Sequence, residues 1–357
     1  RSPSRGLGDV YKRQEELNLD GARAFFGAHP WRDRVGAVVN LEARGGGGRA
    51  MMFETGPGNA QTIAAYARAT RGATGGPSSN ALAVFVYRLM PNGTDFTVAA
   101  DRGLAGINLA FIGRPDQYHS PASTPQALDQ GSLQHIGSQA LETADAWLRA
   151  PTLPQATQDA VYADVFGQFV VSHPPLIGWV LLAAAGLAAA WAAWRARRAS
   201  GLSAWSTARG AADGLWLMAA AVVVGQAVRV LAGPMGGRAS SPETYYTLLR
   251  RLPALEAGAA LALAGLALLV IAGRGGGRML AGGLVAAAVL ATALGGVDPV
   301  LLGAAALAVV LGLWPRRAPA TPWGGWLGLI VLVLILGAGV QALAPLAAFL
   351  LIWPGLI

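Results

Sequence analysis

The 357-residue sequence contains no cysteine. This excludes disulfide frameworks, thiolate nucleophiles and Cys-based zinc or iron–sulfur sites, so any metal must sit on His and carboxylates. Charge is scarce too: Asp, Glu, Lys and Arg make up 13% of the chain, against 54% hydrophobic residues. That balance excludes a disordered polypeptide and points to a membrane part. Lysine is nearly absent, with Lys12 standing alone against 26 arginines. The glycine run Arg44 to Arg49, RGGGGR, therefore has no lysine to make it a phosphate loop, and it also lacks the GxxxxGK[ST] spacing.

The net charge of +8 is unevenly placed. Residues 1–173 hold 15 basic and 15 acidic side chains, whereas residues 174–357 hold 12 and 4. All of the excess lies in the apolar half. A nucleic-acid binder would carry it on a soluble face, so this distribution argues against DNA or RNA as a partner. Arginines between apolar runs are what the positive-inside rule describes.

Six stretches after Pro174 are apolar enough to be spans: Leu176 to Trp194, Ala211 to Leu231, Leu252 to Ala272, Met279 to Leu294, Val300 to Trp314 and Trp326 to Leu343. The fourth and fifth are short for a bilayer, and a seventh could begin after Pro345. Arg195, Arg197, Arg198 and Arg209, then Arg274 and Arg278, then Arg316 and Arg317 mark three loops as cytoplasmic. On that count residues 1–173 lie on the non-cytoplasmic side of a multi-pass integral membrane protein. Inside the spans the notable polar residues are Arg229, Glu256 and Gln341, with Arg229 and Glu256 placed to pair or snorkel. No ionisable cluster of a transporter stands out.

The opening run Arg1 to Gln14, RSPSRGLGDVYKRQ, is unlike the rest and reads as adapter-like sequence or a disordered tail, the natural protein then beginning further upstream. From Glu15 the periodicity is α/β. Helices are expected at Leu17 to Ala28, Ala60 to Thr70, Thr94 to Asp101 and Ser132 to Leu148, and strands at Val35 to Leu41, Ala50 to Phe53 and Ile107 to Ile112. This order predicts a partial mixed sheet flanked by helices, then a linker over 151–173 and an all-α transmembrane domain over 174–357.

Few residues carry chemistry. Glu15 and Glu16 are adjacent carboxylates at a helix start, Glu42 ends a predicted strand, and Tyr118 and His119 follow another. Strand-end loops are where an open α/β sheet gathers a ligand. Singly, each residue also has a plain structural reading: helix-dipole partner, surface carboxylate or loop histidine. His135 reads as a packing residue on its helix, and Asn92-Gly93-Thr94 as a chance glycosylation sequon.

Seven blocks in order go further: EELNLDGARAFF from Glu15, VVNLEARGGGG from Val38, FETGPGN from Phe53, NGTDFTV from Asn92, GINLAFIG from Gly106, YHSP from Tyr118 and LDQGSLQHIG from Leu128. Residues 15–150 thereby resemble metallopeptidase family 28, the two-zinc aminopeptidases, and most closely its membrane-anchored branch of vacuolar and endoplasmic-reticulum membrane proteases. The resemblance implies a mixed sheet with helices, two zinc ions and a peptide substrate. It places Glu15 on the general base, Glu16, Glu42 and His119 on zinc ligands, and Tyr118 on a tyrosine that hydrogen-bonds the developing oxyanion. The family's first His ligand and bridging Asp would fall upstream of Glu15, and an Asp that often follows the His is Ser123 here. The chain taken alone is therefore expected to be inactive or nearly so, and its longer parent to be a peptidase. The alternative is a non-catalytic receptor or scaffold on the same fold.

Overall fold

The computed structural model describes residues 18–90, 93–200, 202–231, 242–271, 277–314 and 322–353. The chain divides into two compact units, Arg1–Trp179 with Val340–Leu350 and Val180–Gly339 with Leu351–Ile357.

In the first unit, α1 (Asp20–Ala28) leads into β1 (Ala37–Ala43) and β2 (Gly47–Thr55). Then come α2 (Ala60–Ala69), α3 (Ala81–Leu89), α4 (Asp95–Ala100), β3 (Ala105–Gly113) and α5 (Gln130–Arg149). The three strands form a mixed sheet in the order β1-β3-β2, with β3 parallel to β1 and antiparallel to β2. From Ala105 to Phe111, β3 is buried at every residue, as a central strand covered on both faces must be. Helix α5 packs on all three strands, α3 on β2, and α4 on β1 and β3. The expected mixed sheet with flanking helices is what forms.

Because β1 and β2 are not neighbours, Arg44, Gly45 and Gly46 must carry the chain across the end of β3, a distance of about 10 Å between next-nearest strands. The glycine run exists for that crossing. A Cβ on Gly45 would lie 2.1 Å from the Gly113 carbonyl oxygen, and Gly48 has a positive φ of 95° with the Gly113 Cα 2.9 Å from its missing Cβ.

Helix α3 was not foreshadowed by periodicity, since ALAVFVYRL is apolar almost throughout and its run could equally be a strand. Its start was marked by Asn80, whose side chain accepts a hydrogen bond from the Ala83 N–H at 2.9 Å. Residues Ala81, Val84 and Tyr87 then face the core at helical spacing. The stretch expected to be a linker folds as an antiparallel hairpin, β4 (Val161–Val165) and β5 (Phe169–His173). Val161 and Tyr162 are buried, and Asp164 both accepts from the Ser79 N–H at 3.0 Å and donates its own N–H to the Ser79 carbonyl. His135 packs as expected, with Nδ1 accepting from the Ala50 N–H at 3.1 Å and Nε2 at 2.9 Å from the Gly76 carbonyl.

After the hairpin come α6 (Leu176–Ser200), α7 (Ala204–Leu231), α8 (Pro242–Ile271), α9 (Arg278–Gly295), α10 (Pro299–Leu313), α11 (Pro322–Leu343) and the short α12 (Phe349–Ile352). Among the described residues five helices are long and apolar enough to cross a membrane: Leu176–Ser200, Ala204–Val230, Arg250–Leu269, Arg278–Gly295 and Trp323–Leu343. This differs from the expected six or seven. The 15 residues of α10 rise about 22 Å, short of a hydrocarbon core of about 30 Å, and α12 has only four residues. In the second unit Trp216, Ala220 and Val223 of α7 pack with Leu284, Ala288 and Ala291 of α9 and with Leu301, Ala305 and Ala308 of α10. Among the described residues no ion pair joins Arg229 to Glu256, which is exposed. Gln341 is buried and donates to the Pro175 carbonyl at 2.8 Å.

Candidate functional site

Parallel pairing brings the C-terminal ends of β1 and β3 to the same side of the sheet, with Ala43 opposite Phe111. Glu42 stands at the end of β1 and the 114–119 loop leaves the end of β3, so both lie where open α/β sheets collect ligands. Glu42 is half-buried, and Asn40, two residues earlier and so on the same strand face, donates from Nδ2 to its Oε1 at 2.9 Å. Burial pushes the Glu42 carboxyl above its usual range; the Asn40 hydrogen bond opposes this, while the nearby charges of Asp95 and Glu54 add to it.

Glu54 was not singled out by the sequence. Its side chain is 7% exposed and accepts at Oε2 from Asn108 Nδ2 at 2.8 Å and from the Thr94 hydroxyl at 3.4 Å. Burial raises its carboxyl as well, and likewise that of Asp95, whose Oδ1 is buried without a hydrogen-bond partner. Tyr87 is pushed up to about 12, first by burial and then by the Glu54 charge. Glu42, Glu54 and Asp95 are thus carboxylates raised chiefly by burial, with Arg44 acting on Glu42 and Arg88 on Glu54 in the opposite sense; perturbed carboxylates of this kind are common at functional sites. Glu54, Tyr87, Arg88, Met90, Thr97 and Asp101 line a cavity of about 310 Å³.

A tight turn over Pro115–Gln117 delivers Tyr118 and His119. Their rings stack with centroids 4.0 Å apart and planes 21° from parallel. His119 has φ 48°, a left-handed backbone that costs a non-glycine residue roughly 1–2 kcal/mol and is tolerated mostly where geometry serves a function. The Arg44 guanidinium lies 5.8 Å from the ring centroids of both Tyr118 and Tyr87. It connects the end of β1 to the loop that carries His119, a role sequence reasoning did not anticipate.

Of the residues expected at the site, Glu42, Tyr118 and His119 come to one end of the sheet, while Glu15 and Glu16 lie outside the described residues. Among the described residues no three His, Asp or Glu come together closely enough to hold a metal ion. The donor chemistry nevertheless fits zinc in kind, because an imidazole and a carboxylate with one oxygen held by an amide are types it binds. Glu42 and His119 fit as part of a ligand set rather than as the whole of one. Asn40 and Asn108 carried a readable signal: asparagine is disfavoured in strands, and VVNLE and GINLAF each place one inside an apolar run.

Residues 2–144 match Peptidase family M28, a stretch that takes in the opening run 2–14. Endoplasmic reticulum metallopeptidase 1 of Homo sapiens is 32% identical over 179 residues, covering 48% of this chain and 19% of that protein. The mouse protein of the same name is 31% identical over 179 residues, covering 48% and 20%. A vacuolar membrane protease of Eremothecium gossypii is 34% identical over 169 residues, covering 47% and 16%. The matched part therefore spans about a fifth or less of each relative's length. No solved structure matches. Residues 2–144 are thus similar to Peptidase family M28, and apolar helices long enough to cross a membrane follow them in the chain.

Proposed function

We propose that the chain is the site-bearing part of a membrane-anchored, zinc-dependent exopeptidase that removes N-terminal residues from peptides on the non-cytoplasmic side. The observation carrying this reading is that parallel pairing puts the end of β1, with Glu42, and the end of β3, from which the chain runs to the stacked Tyr118 and His119, on one side of the sheet, in a segment similar to an endoplasmic reticulum metallopeptidase and a vacuolar membrane protease. Glu16, Glu42 and His119 are the side chains to hold zinc. Bound there, zinc supplies Lewis acidity, which makes water a nucleophile near neutral pH and stabilises charge on the scissile carbonyl.

The chain's own residues do the rest. Glu15 accepts the proton that the attacking water gives up. Tyr118 donates its hydroxyl hydrogen to the carbonyl oxygen as negative charge develops there. Stacking on His119 and the nearby Arg44 guanidinium fix the Tyr118 ring, so the donor is oriented before substrate arrives.

The test is hydrolysis of aminoacyl chromogenic substrates by the detergent-purified protein carrying this chain, with and without a chelator. Chelation, Glu15→Gln and His119→Ala should each abolish turnover, and zinc should restore the chelated wild type. Zinc-replete protein that hydrolyses no aminoacyl substrate would overturn the proposal. Because the chain has no native cysteine, single Ala156→Cys and Ala199→Cys variants report sidedness directly. An impermeant maleimide applied from the non-cytoplasmic side should label the first and not the second.

A further inference from the structure

Three strands place polar side chains in one row. Asn108 on the central strand is the register partner of Asn40 on β1 and of Glu54 on β2. Asn108 is fully buried, and Thr94, just before α4, is 2% exposed. A buried amide must satisfy both its hydrogens and its oxygen, and this row does so. Asn108 Nδ2 donates to Glu54 Oε2 at 2.8 Å and to Thr94 Oγ1 at 2.9 Å. Asn40 Nδ2 donates to Asn108 Oδ1 at 3.0 Å and to Glu42 Oε1 at 2.9 Å.

The row has a polarity, and one residue sets it. An amide's orientation follows from what its partners can give or take. An ionised carboxylate only accepts, so Glu54 obliges Asn108 to turn its NH₂ toward β2 and its oxygen toward β1. That oxygen in turn obliges Asn40 to present its NH₂, and the second hydrogen of the same group reaches Glu42. Oε1 of Glu42 is then occupied and fixed; among the described residues no hydrogen bond engages Oε2. Reversing the row would set an amide oxygen against the Glu42 carboxylate and leave it unheld.

We infer that Glu54 is a positioning residue: acting through Asn108 and Asn40, it orients the Glu42 carboxylate so that one oxygen is held and the other is presented to a metal. This rests on the reading of Glu42 as a metal ligand. A row that merely fixed strand register would stabilise the fold without affecting what Glu42 binds. The two roles therefore differ in a measurable way.

The experiment measures zinc affinity of the purified protein by competition with a chromogenic chelator, alongside thermal unfolding. Glu54→Gln keeps an oxygen acceptor at the same place and should bind zinc near wild type. Glu54→Met keeps the volume and removes the acceptor, and it should weaken binding about tenfold or more, as loss of a ligand-supporting hydrogen bond does. Asn40→Ala should do the same. Tyr66→Phe serves as the stability control, because the Tyr66 hydroxyl donates to Gln139 in a separate buried network; it should lower the melting temperature and leave zinc affinity unchanged. If Glu54→Met and Tyr66→Phe bind zinc as tightly as wild type, the positioning role is refuted while the metallopeptidase reading stands. If wild type takes up no zinc, the ligand reading of Glu42 fails and this inference with it.

Discussion

Replacing Tyr162 by alanine tests whether the hairpin over Val161–His173 is part of the first unit's core. The Tyr162 side chain is 0% exposed and its hydroxyl lies 3.4 Å from Ser79 Oγ, whereas Phe166, in the same hairpin's turn, is 94% exposed. Removing a fully buried aromatic ring costs about 3–5 kcal/mol, while an exposed substitution stays within about 0.5 kcal/mol. For a unit of this size 1 kcal/mol moves the midpoint by roughly 2–4 °C, so Tyr162→Ala should lower it by about 6–20 °C and Phe166→Ala by 2 °C at most. Tryptic cleavage of detergent-solubilised protein after stepped heating reads the first unit, which carries most of the arginines outside the apolar helices. If both variants unfold together with wild type, the hairpin contributes nothing to the core and the burial argument is wrong.

Other consequences follow from particular side chains. Burial raises the Glu54 carboxyl above its ordinary value of 4.5, so the folded state binds that proton more tightly than the unfolded chain. The resulting stability is fully present below pH 4.5 and is lost as pH rises through the raised value. Glu54→Gln should therefore melt above wild type at pH 8, with the gap closing toward pH 4; a gap that widens on acidification would contradict the sign. Gly45→Ala drives a methyl group to within 2.1 Å of the Gly113 carbonyl oxygen and should destabilise by about 1–3 kcal/mol in denaturant titration. Gly27→Ala, in exposed α1 with nothing near its missing Cβ, should instead stabilise by roughly 0.5–1 kcal/mol. Asn80→Ala removes the cap that accepts from the Ala83 N–H and should cost about 1 kcal/mol, read as faster amide exchange at the start of α3.

The sequence was informative where periodicity is local. Helices at Ala60 and Ser132 and a strand at Ile107 are set by apolar residues recurring at helical or strand spacing, and they form within a few residues of those bounds. The apolar helices were equally legible, because a bilayer imposes length and composition on a contiguous segment. Their number was not, since the 15-residue α10 satisfies composition but falls short in length. Glu42, Tyr118 and His119 stand out in the sequence as candidates because strand-end carboxylates, tyrosines and histidines have recognisable chemistry, and parallel pairing brings the ends of β1 and β3 to the same side of the sheet.

What the sequence alone determined is the division into a charge-neutral α/β part and an arginine-marked apolar part, together with the residue types available to a metal. Tertiary structure alone decided that β3 lies between β1 and β2. That pairing gives the glycine run its purpose and sets Asn40, Asn108 and Glu54, 68 and 54 residues from Asn108 in the chain, in hydrogen-bonding contact. The physical reason is that side-chain spacing along a strand is local and can be read one residue at a time. Which strand lies beside which is fixed by burial of both faces of β3, a property of the assembled sheet rather than of any one segment.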